Sequence, residues 1–175
     1  MIDRWDLSRD VLVGMVRTAA FERREVASRA GRMLDPTERE RADRLRSPGA
    51  RADLVAGRVL ARALLATRAG CEPGTIRMRE SPLGCPQAVA PAAARRLRFS
   101  IAHSDGIALC AVTAGSAIGA DIESIRNVGP DPLAVAGLVC SDKERRDLER
   151  TPSWRRPERL LAVRIDAGIP DYIPA

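Results

Sequence analysis

Residues 97–123 read LRFSIAHSDGIALCAVTAGSAIGADIE. Apolar and small polar residues alternate through Phe99, Ser100 and Ile101, and Ser104, Asp105 and Gly106 then make a strong turn sequence. A second apolar run over 107–113 ends at Ala114, Gly115 and Ser116, another turn sequence, and a third apolar stretch covers 117–122. This pattern predicts three short strands over 97–102, 107–113 and 117–122, joined as an antiparallel meander. The flanks on both sides are helical in character, so the fold class read from the chain is α+β.

Upstream, Asp35, Pro36 and Glu38 give a side-chain cap, a proline at the first helical position and an acid in the first turn. They predict a helix running to about Arg46. Ser47, Pro48 and Gly49 interrupt it, and Leu54, Val55, Val59, Leu60, Ala63 and Leu64 then form one apolar stripe of a second helix that Gly70 ends. From Thr75 the period falls to two, with Ile76 and Met78 alternating with Arg77 and Arg79, and residues 81–94 read as a loop rich in Pro, Gly and Ala. The first 30 residues are ambiguous: Leu12, Val13, Met15, Val16, Ala19 and Ala20 stand at helical spacing and no strand is evident. Beyond Pro130 a short apolar helical piece spans 133–139, and Ser141 with Glu144 at the third helical position opens a charged helix. Residues 158–163 begin another.

The chain of 175 residues is 45% hydrophobic, enough for a packed core and too apolar for intrinsic disorder. No apolar run nears the roughly 20 residues that span a bilayer, and residues 1–10 carry charge where a signal peptide is apolar, so the cytoplasm is the expected compartment. Cys71, Cys85, Cys110 and Cys140 stand far apart without the spacing of a zinc site and read as reduced residues. The net charge of +6 is arginine charge, since Lys143 is the sole lysine. The planar guanidinium suits phosphate and carboxylate oxygens, which leaves nucleic acid, a phosphorylated cofactor or an acidic protein as partner classes; the plainest explanation is a solvated surface. Aromatic residues make up only 3% and arginine is interleaved with acids, which argues against a nucleic-acid binder.

Three groups of residues have chemical potential. Asp121 and Glu123 sit two apart at a predicted strand end, so both carboxylates point to one face and favour a hard cation such as Mg²⁺, although solvated charge is the usual meaning of such a pair. His103, the sole histidine, stands where a strand meets a turn and where an imidazole reaches a phosphate oxygen; a lone loop histidine is more often structural. Arg51, Arg58 and Arg62 lie along the second predicted helix and Arg39, Arg41, Arg44 and Arg46 along the first. They are either an anion-binding set near a helix start or a charged outer face.

Taken in order, these stretches resemble the surfactin-type branch of the 4'-phosphopantetheinyl transferase superfamily. Leu34, Asp35 and Pro36 through Arg44 and Leu45 are similar to an L-S-P-E-E-R opening helix, and residues 51–65 to the helix that follows it with an early arginine. FSIAHS at 99–104 resembles F-x-x-S-H-S, IGADIE at 118–123 resembles I/V-G-I/V-D-I/V-E, and Ser141 to Glu144 resembles F-S/T-x-x-E with Cys140 at the aromatic position. The likeness covers about 110 residues in matching order. It implies two similar α+β lobes about a pseudo-two-fold axis, 1–114 and a shortened 115–175, with coenzyme A between them. It also implies transfer of phosphopantetheine from coenzyme A to a serine of an apo acyl or peptidyl carrier protein. Asp121 and Glu123 become Mg²⁺ ligands, Arg51, His103 and Ser104 hold the phosphates of coenzyme A, and Glu144 is a supporting acid.

The chain departs from the family pattern in four places. Gly84, Cys85 and Pro86 stand where G-K/R-P is usual, so the cation is missing, and Ala102 replaces a serine. The W-x-x-K-E motif expected after 158–163 has no counterpart, since the chain reads Arg164, Ile165, Asp166, Ala167, Gly168 and stops soon after, and no opening strand is evident before residue 30. The expectation is therefore a C-terminally truncated transferase, the alternative being an inactive remnant that only binds coenzyme A or a carrier protein.

Overall fold

In the computed structural model, the described residues are 2–6, 10–81, 84–115, 117–124, 130–156 and 166–167. Strand β1 (Asp3–Asp6), β2 (Val11–Arg17), β5 (Arg98–Ser104) and β6 (Ile107–Thr113) form an antiparallel sheet in the order β1-β2-β6-β5. The β5–β6 hairpin follows from its turn. Ser104 pairs with Ile107, and the two residues between them, Asp105 (φ 48°) and Gly106 (φ 74°), are both left-handed, the backbone of a type I′ turn whose twist matches the strands. The register puts Phe99 opposite Val112 and Ile101 opposite Cys110, while Leu12 and Gly14 of β2 face the same two β6 residues from the other side. The centre of one face of the sheet, across β2, β6 and β5, is thereby apolar.

Helix α3 (Pro48–Ala69) packs on that face. Ser47 accepts from the Ala50 N–H at its start, Pro48 occupies the first turn, and Gly70 closes it in the left-handed conformation (φ 65°). Leu60, Leu64 and Leu65 are fully buried against the sheet, each stabilising the fold by about 1.5–3 kcal/mol relative to exposure. Two glycines permit the close approach. A Cβ on Gly14 would lie 3.1 Å from a Leu64 methyl, and one on Gly57 would lie 2.9 Å from Ile101 Cγ2, inside van der Waals contact. Helices α1 (Arg24–Gly31) and α2 (Pro36–Arg44) precede α3, with Ala30, Leu34, Ala42 and Val55 as a second small core. A two-stranded sheet of β3 (Arg77–Glu80) and β4 (Pro86–Ala90) follows it.

The described chain clusters into two units, Met1–Asp121 with Ile165–Ala175, and Ile122–Arg164. The second contains α4 (Pro132–Val139), capped by Asp131, and α5 (Asp142–Glu149), which pack on each other. Among the described residues no helix is long and apolar enough to cross a membrane.

The α+β class and helices α2 to α5 are as the sequence predicts. Three readings are corrected. The opening residues form strands, because Val11, Leu12, Val13 and Val16 are buried on both faces of β2 and the period of two is lost. Residues 86–90, expected in a loop, form β4, an alanine-rich strand with Ala88 buried. The meander fails at its third member: β6 takes β2 as its second neighbour, while β7 (Ile118–Gly119) is two residues long and pairs with β8 (Asp166–Ala167). The helix expected over 158–163 lies outside the described residues.

Of the arginines read as either an anion-binding set or a charged outer face, Arg39, Arg41, Arg44, Arg46 and Arg51 are exposed, and the outer-face alternative fails for Arg58 and Arg62. Arg62 is fully buried and Arg58 nearly so. Arg62 Nη2 and Nη1 donate to Glu38 Oε2 and Oε1 at 2.6 and 3.2 Å, a two-pronged pairing, and Asp35 Oδ2 lies 3.9 Å from Nη2. Glu38 simultaneously closes a capping box, accepting from the Asp35 N–H at 3.0 Å while Asp35 accepts from the Glu38 N–H at 2.9 Å. Removing Glu38 would strand a buried guanidinium. Glu38→Ala is expected to lower stability by about 3–5 kcal/mol, against about 1 kcal/mol for loss of the cap alone in Asp35→Ala. Urea unfolding of the two variants measures the difference.

Candidate functional site

His103 stands one residue before the end of β5, paired with Ala108 across the hairpin, and its side chain is exposed. The chain leaving β7 passes β5, where Ser100 Oγ donates to the Ala120 carbonyl at 3.4 Å, and this contact brings Asp121 alongside the histidine's strand. His103 and Asp121 line one open cleft of about 480 Å³. Arg41 of α2 and Arg58 of α3 reach it from the helical side, with Asp53, Leu54 and Gly57 between them. Gly84 and Pro86 form a further wall at the β3–β4 turn. There Ser81 donates its N–H to the Cys85 carbonyl at 2.8 Å and accepts the Gly84 N–H at 2.9 Å, which requires Gly84 at φ 79°.

A second cleft of about 330 Å³ lies between α2, α3 and the β3–β4 pair, lined among others by Glu38, Met78, Glu80 and Val89. Arg41, Leu54, Arg58 and Pro86 border both clefts. Burial pulls the Arg58 guanidinium below its ordinary value; Glu38 and Glu80 raise it, and Arg41 and Arg62 add to the lowering. Arginine starts so high that Arg58 keeps its charge at neutral pH. Its Nη2 donates to Glu80 Oε1 at 3.0 Å, and its Nε lies 3.4 Å from Glu38 Oε1 without a hydrogen bond. Arg41 also pairs with Glu80 Oε1. The arrangement can therefore hold an anion between fixed cations and an imidazole, with a carboxylate in reach of a hard cation.

The other expected site residues are placed differently. Arg51, exposed in the first turn of α3, donates to the Ala42 carbonyl at 3.0 Å and pairs with Asp43 at 2.5 Å, and it lines neither cleft. Ser104 is half-buried at the end of β5. Glu123 is exposed, and its Oε1 accepts from the Ser124 N–H at 2.9 Å. Because β7 ends at Gly119, Asp121 and Glu123 lie past the strand expected to align them. Glu144 serves as the third residue of the α5 capping box, its Oε2 accepting from the Ser141 N–H at 2.9 Å and Oγ at 2.7 Å. Among the described residues no group of three or more His, Cys, Asp or Glu side chains forms a metal cluster.

Sequence reading names Arg41 and Arg58 only within a wider set of arginines that could bind an anion, and it passes over Glu80. A signal existed for Arg58: positions 55, 58, 62 and 65 fall on one helical face, in phase with buried Val55 and Leu65, so Arg58 and Arg62 belong to the core side of α3. Nothing local to β3 distinguishes Glu80.

No family model matches the chain. A stretch of 93 residues is 36% identical to 4'-phosphopantetheinyl transferase HetI from a Nostoc species, and that match takes in 53% of this chain. The chain spans 39% of that relative's length. Among solved structures, Helicobacter pylori holo-acyl-carrier-protein synthase in complex with coenzyme A aligns over 60% of this chain and 99% of its own, at 18% identity and a TM-score of 0.46. The likeness to phosphopantetheinyl transferases carried by the motifs is thus met again in a curated relative.

The placement of Glu144 yields a separable expectation. Glu144→Gln keeps a carbonyl acceptor in the capping box, whereas Glu144→Ala removes it and is expected to destabilise α5 by about 0.5–2 kcal/mol. Amide hydrogen exchange across α5 should be unchanged in the first variant and faster in the second.

Proposed function

We propose that this chain is a cytoplasmic 4'-phosphopantetheinyl transferase, moving phosphopantetheine from coenzyme A to a serine of an acyl or peptidyl carrier protein in fatty-acid, polyketide or peptide synthesis. The observation that carries the reading is that His103 and Asp121, from the two most specific of the family-like motifs, line one cleft together with Arg41 and Arg58. The partial identity to a transferase of this kind supports it. Arg41 and Arg58 also supply the positive charge that Cys85 lacks in the Gly84-Cys85-Pro86 segment beside them.

The cleft suits a metal that arrives with its ligand better than a resident one. Mg²⁺ usually takes one or two carboxylates and completes its shell with water and substrate phosphates, and the cleft offers Asp121 rather than a cage. Asp121, with Glu123 as the second carboxylate of the motif, would hold Mg²⁺, which supplies neutralisation of the charge on the pyrophosphate during transfer. His103 and the two cleft arginines orient the pyrophosphate by hydrogen bonds, and Ser104 adds a hydroxyl at the strand end. Arg51 reaches the phosphates only by releasing Asp43. Leu54 and Ile101 form the apolar part of the wall. The carrier's serine Oγ attacks the β-phosphorus, 3',5'-adenosine bisphosphate leaves, and the serine proton passes to a base; Glu144 is the supporting acid, a role it would share with capping α5. The arginine excess then has a second use in docking acidic carrier surfaces.

Purified chain incubated with coenzyme A, Mg²⁺ and an apo carrier protein should give a carrier heavier by one phosphopantetheine in the mass spectrum. Asp121→Ala is expected to slow transfer by about 100-fold or more, as removal of a group acting on transition-state charge does. No mass gain, where a complete transferase works, overturns the enzyme reading. Coenzyme A binding retained without transfer would identify a binding protein instead.

A further inference from the structure

Glu80 is the last residue of β3, and a single oxygen of its carboxylate, Oε1, accepts from both Arg41 Nη1 and Arg58 Nη2. These are the two cations common to both clefts. The three residues differ in freedom. Arg58 has a side chain 8% exposed and is held from its other side by Glu38, whereas Arg41 and Glu80 are 55% and 43% exposed. Hydrogen bonds at that exposure exchange with solvent or ligand readily, so the carboxylate is the movable member and Arg58 the fixed one.

We propose that Glu80 is a built-in counter-anion that occupies Arg41 and Arg58 until a phosphate-bearing ligand displaces it. A ligand phosphate and the Glu80 carboxylate cannot both accept from the same N–H groups. Charge points the same way. Arg62 is matched by the two oxygens of Glu38, and Arg58 and Arg41 share Glu80, so three arginines face two glutamates and the cluster keeps a net positive charge that draws an anion. The anion needs the N–H groups that a carboxylate now occupies, and Glu80, on the strand end before the β3–β4 turn, is the carboxylate not locked into a helix cap. A pyrophosphate brings more charge and more acceptor oxygens than a carboxylate, so the exchange favours the ligand. Arg58 is not left alone meanwhile, because Glu38 stays beside its Nε. Glu80 thus sets the threshold affinity of the site and discriminates against singly charged anions. The inference deepens the reading above and rests on it only in that the cleft takes a pyrophosphate-bearing ligand.

Titration calorimetry of the full chain with inorganic pyrophosphate, and separately with coenzyme A, tests this. Glu80→Gln, which keeps shape and removes charge, is expected to bind both about three- to tenfold more tightly than the parent. Arg41→Ala, at an exposed position, is expected to bind pyrophosphate more weakly and to shrink the gain from Glu80→Gln when the two are combined. Thermal unfolding verifies that each variant is folded; should Glu80→Gln not fold, Glu80→Asp retracts the carboxylate by one methylene and is expected to move affinity in the same direction. Equal or weaker binding by the Glu80 variant overturns the proposal, as does failure of parent and variant alike to bind pyrophosphate. The outcomes separate from those of the transfer assay: transfer without a Glu80 effect removes the counter-anion alone, and a Glu80 effect on pyrophosphate without transfer removes the enzyme alone.

Discussion

The pairing of Glu38 with Arg62 is the interaction on which the remaining arrangement depends. Arg62 is fully buried in the apolar face of α3, a position that an unpaired guanidinium could not hold. Glu38 satisfies it from α2, caps its own helix with Asp35, and lies against Arg58. One carboxylate therefore fixes where α2 crosses α3. That crossing decides where Arg41 and Arg58 stand, and so which cations border the cleft that also contains His103 and Asp121. A hydrophobic pair in place of Arg62 and Glu38 would bury as much side chain, but it would not pin α2 by its first turn.

How far the sequence reveals this differs from element to element. Helix α2 is legible because its signals are local: Asp35, Pro36 and Glu38 specify a cap with no help from the rest of the chain. The β5–β6 hairpin is legible for the same reason, since Asp105 and Gly106 favour the left-handed backbone that the turn needs. Strand β2 is not, because a strand covered on both faces carries no alternation, and Val11 to Val16 then read equally as helix. The neighbour of β6 was misread because sequence adjacency favours β7, whereas the long β2 edge offers seven paired positions and β7 only two.

The site divides along the same line. His103 and Asp121 were legible as members of ordered motifs, and the fold brings their segments to one cleft through the Ser100 contact to Ala120. Glu80 was not, because its significance arises from packing between α2, α3 and β3 rather than from any spacing, and the helical phase of Arg58 marks it as core-facing without showing which cleft it borders. Glu144 shows the converse. Its position in a capping box was predicted and is observed, and that local use already accounts for its carboxylate contacts with Ser141.

The contact between Gly57 and Ile101 bears on more than packing. With no room for a side chain there, the helix that holds Arg58 and the strand that carries His103 lie directly against each other. The backbone positions of Arg58 and His103 are then set by the scaffold rather than assembled when a ligand arrives. A site built on such a frame would select by length: it would grip partners whose charged groups are spaced to match and gain little from those that are shorter or longer.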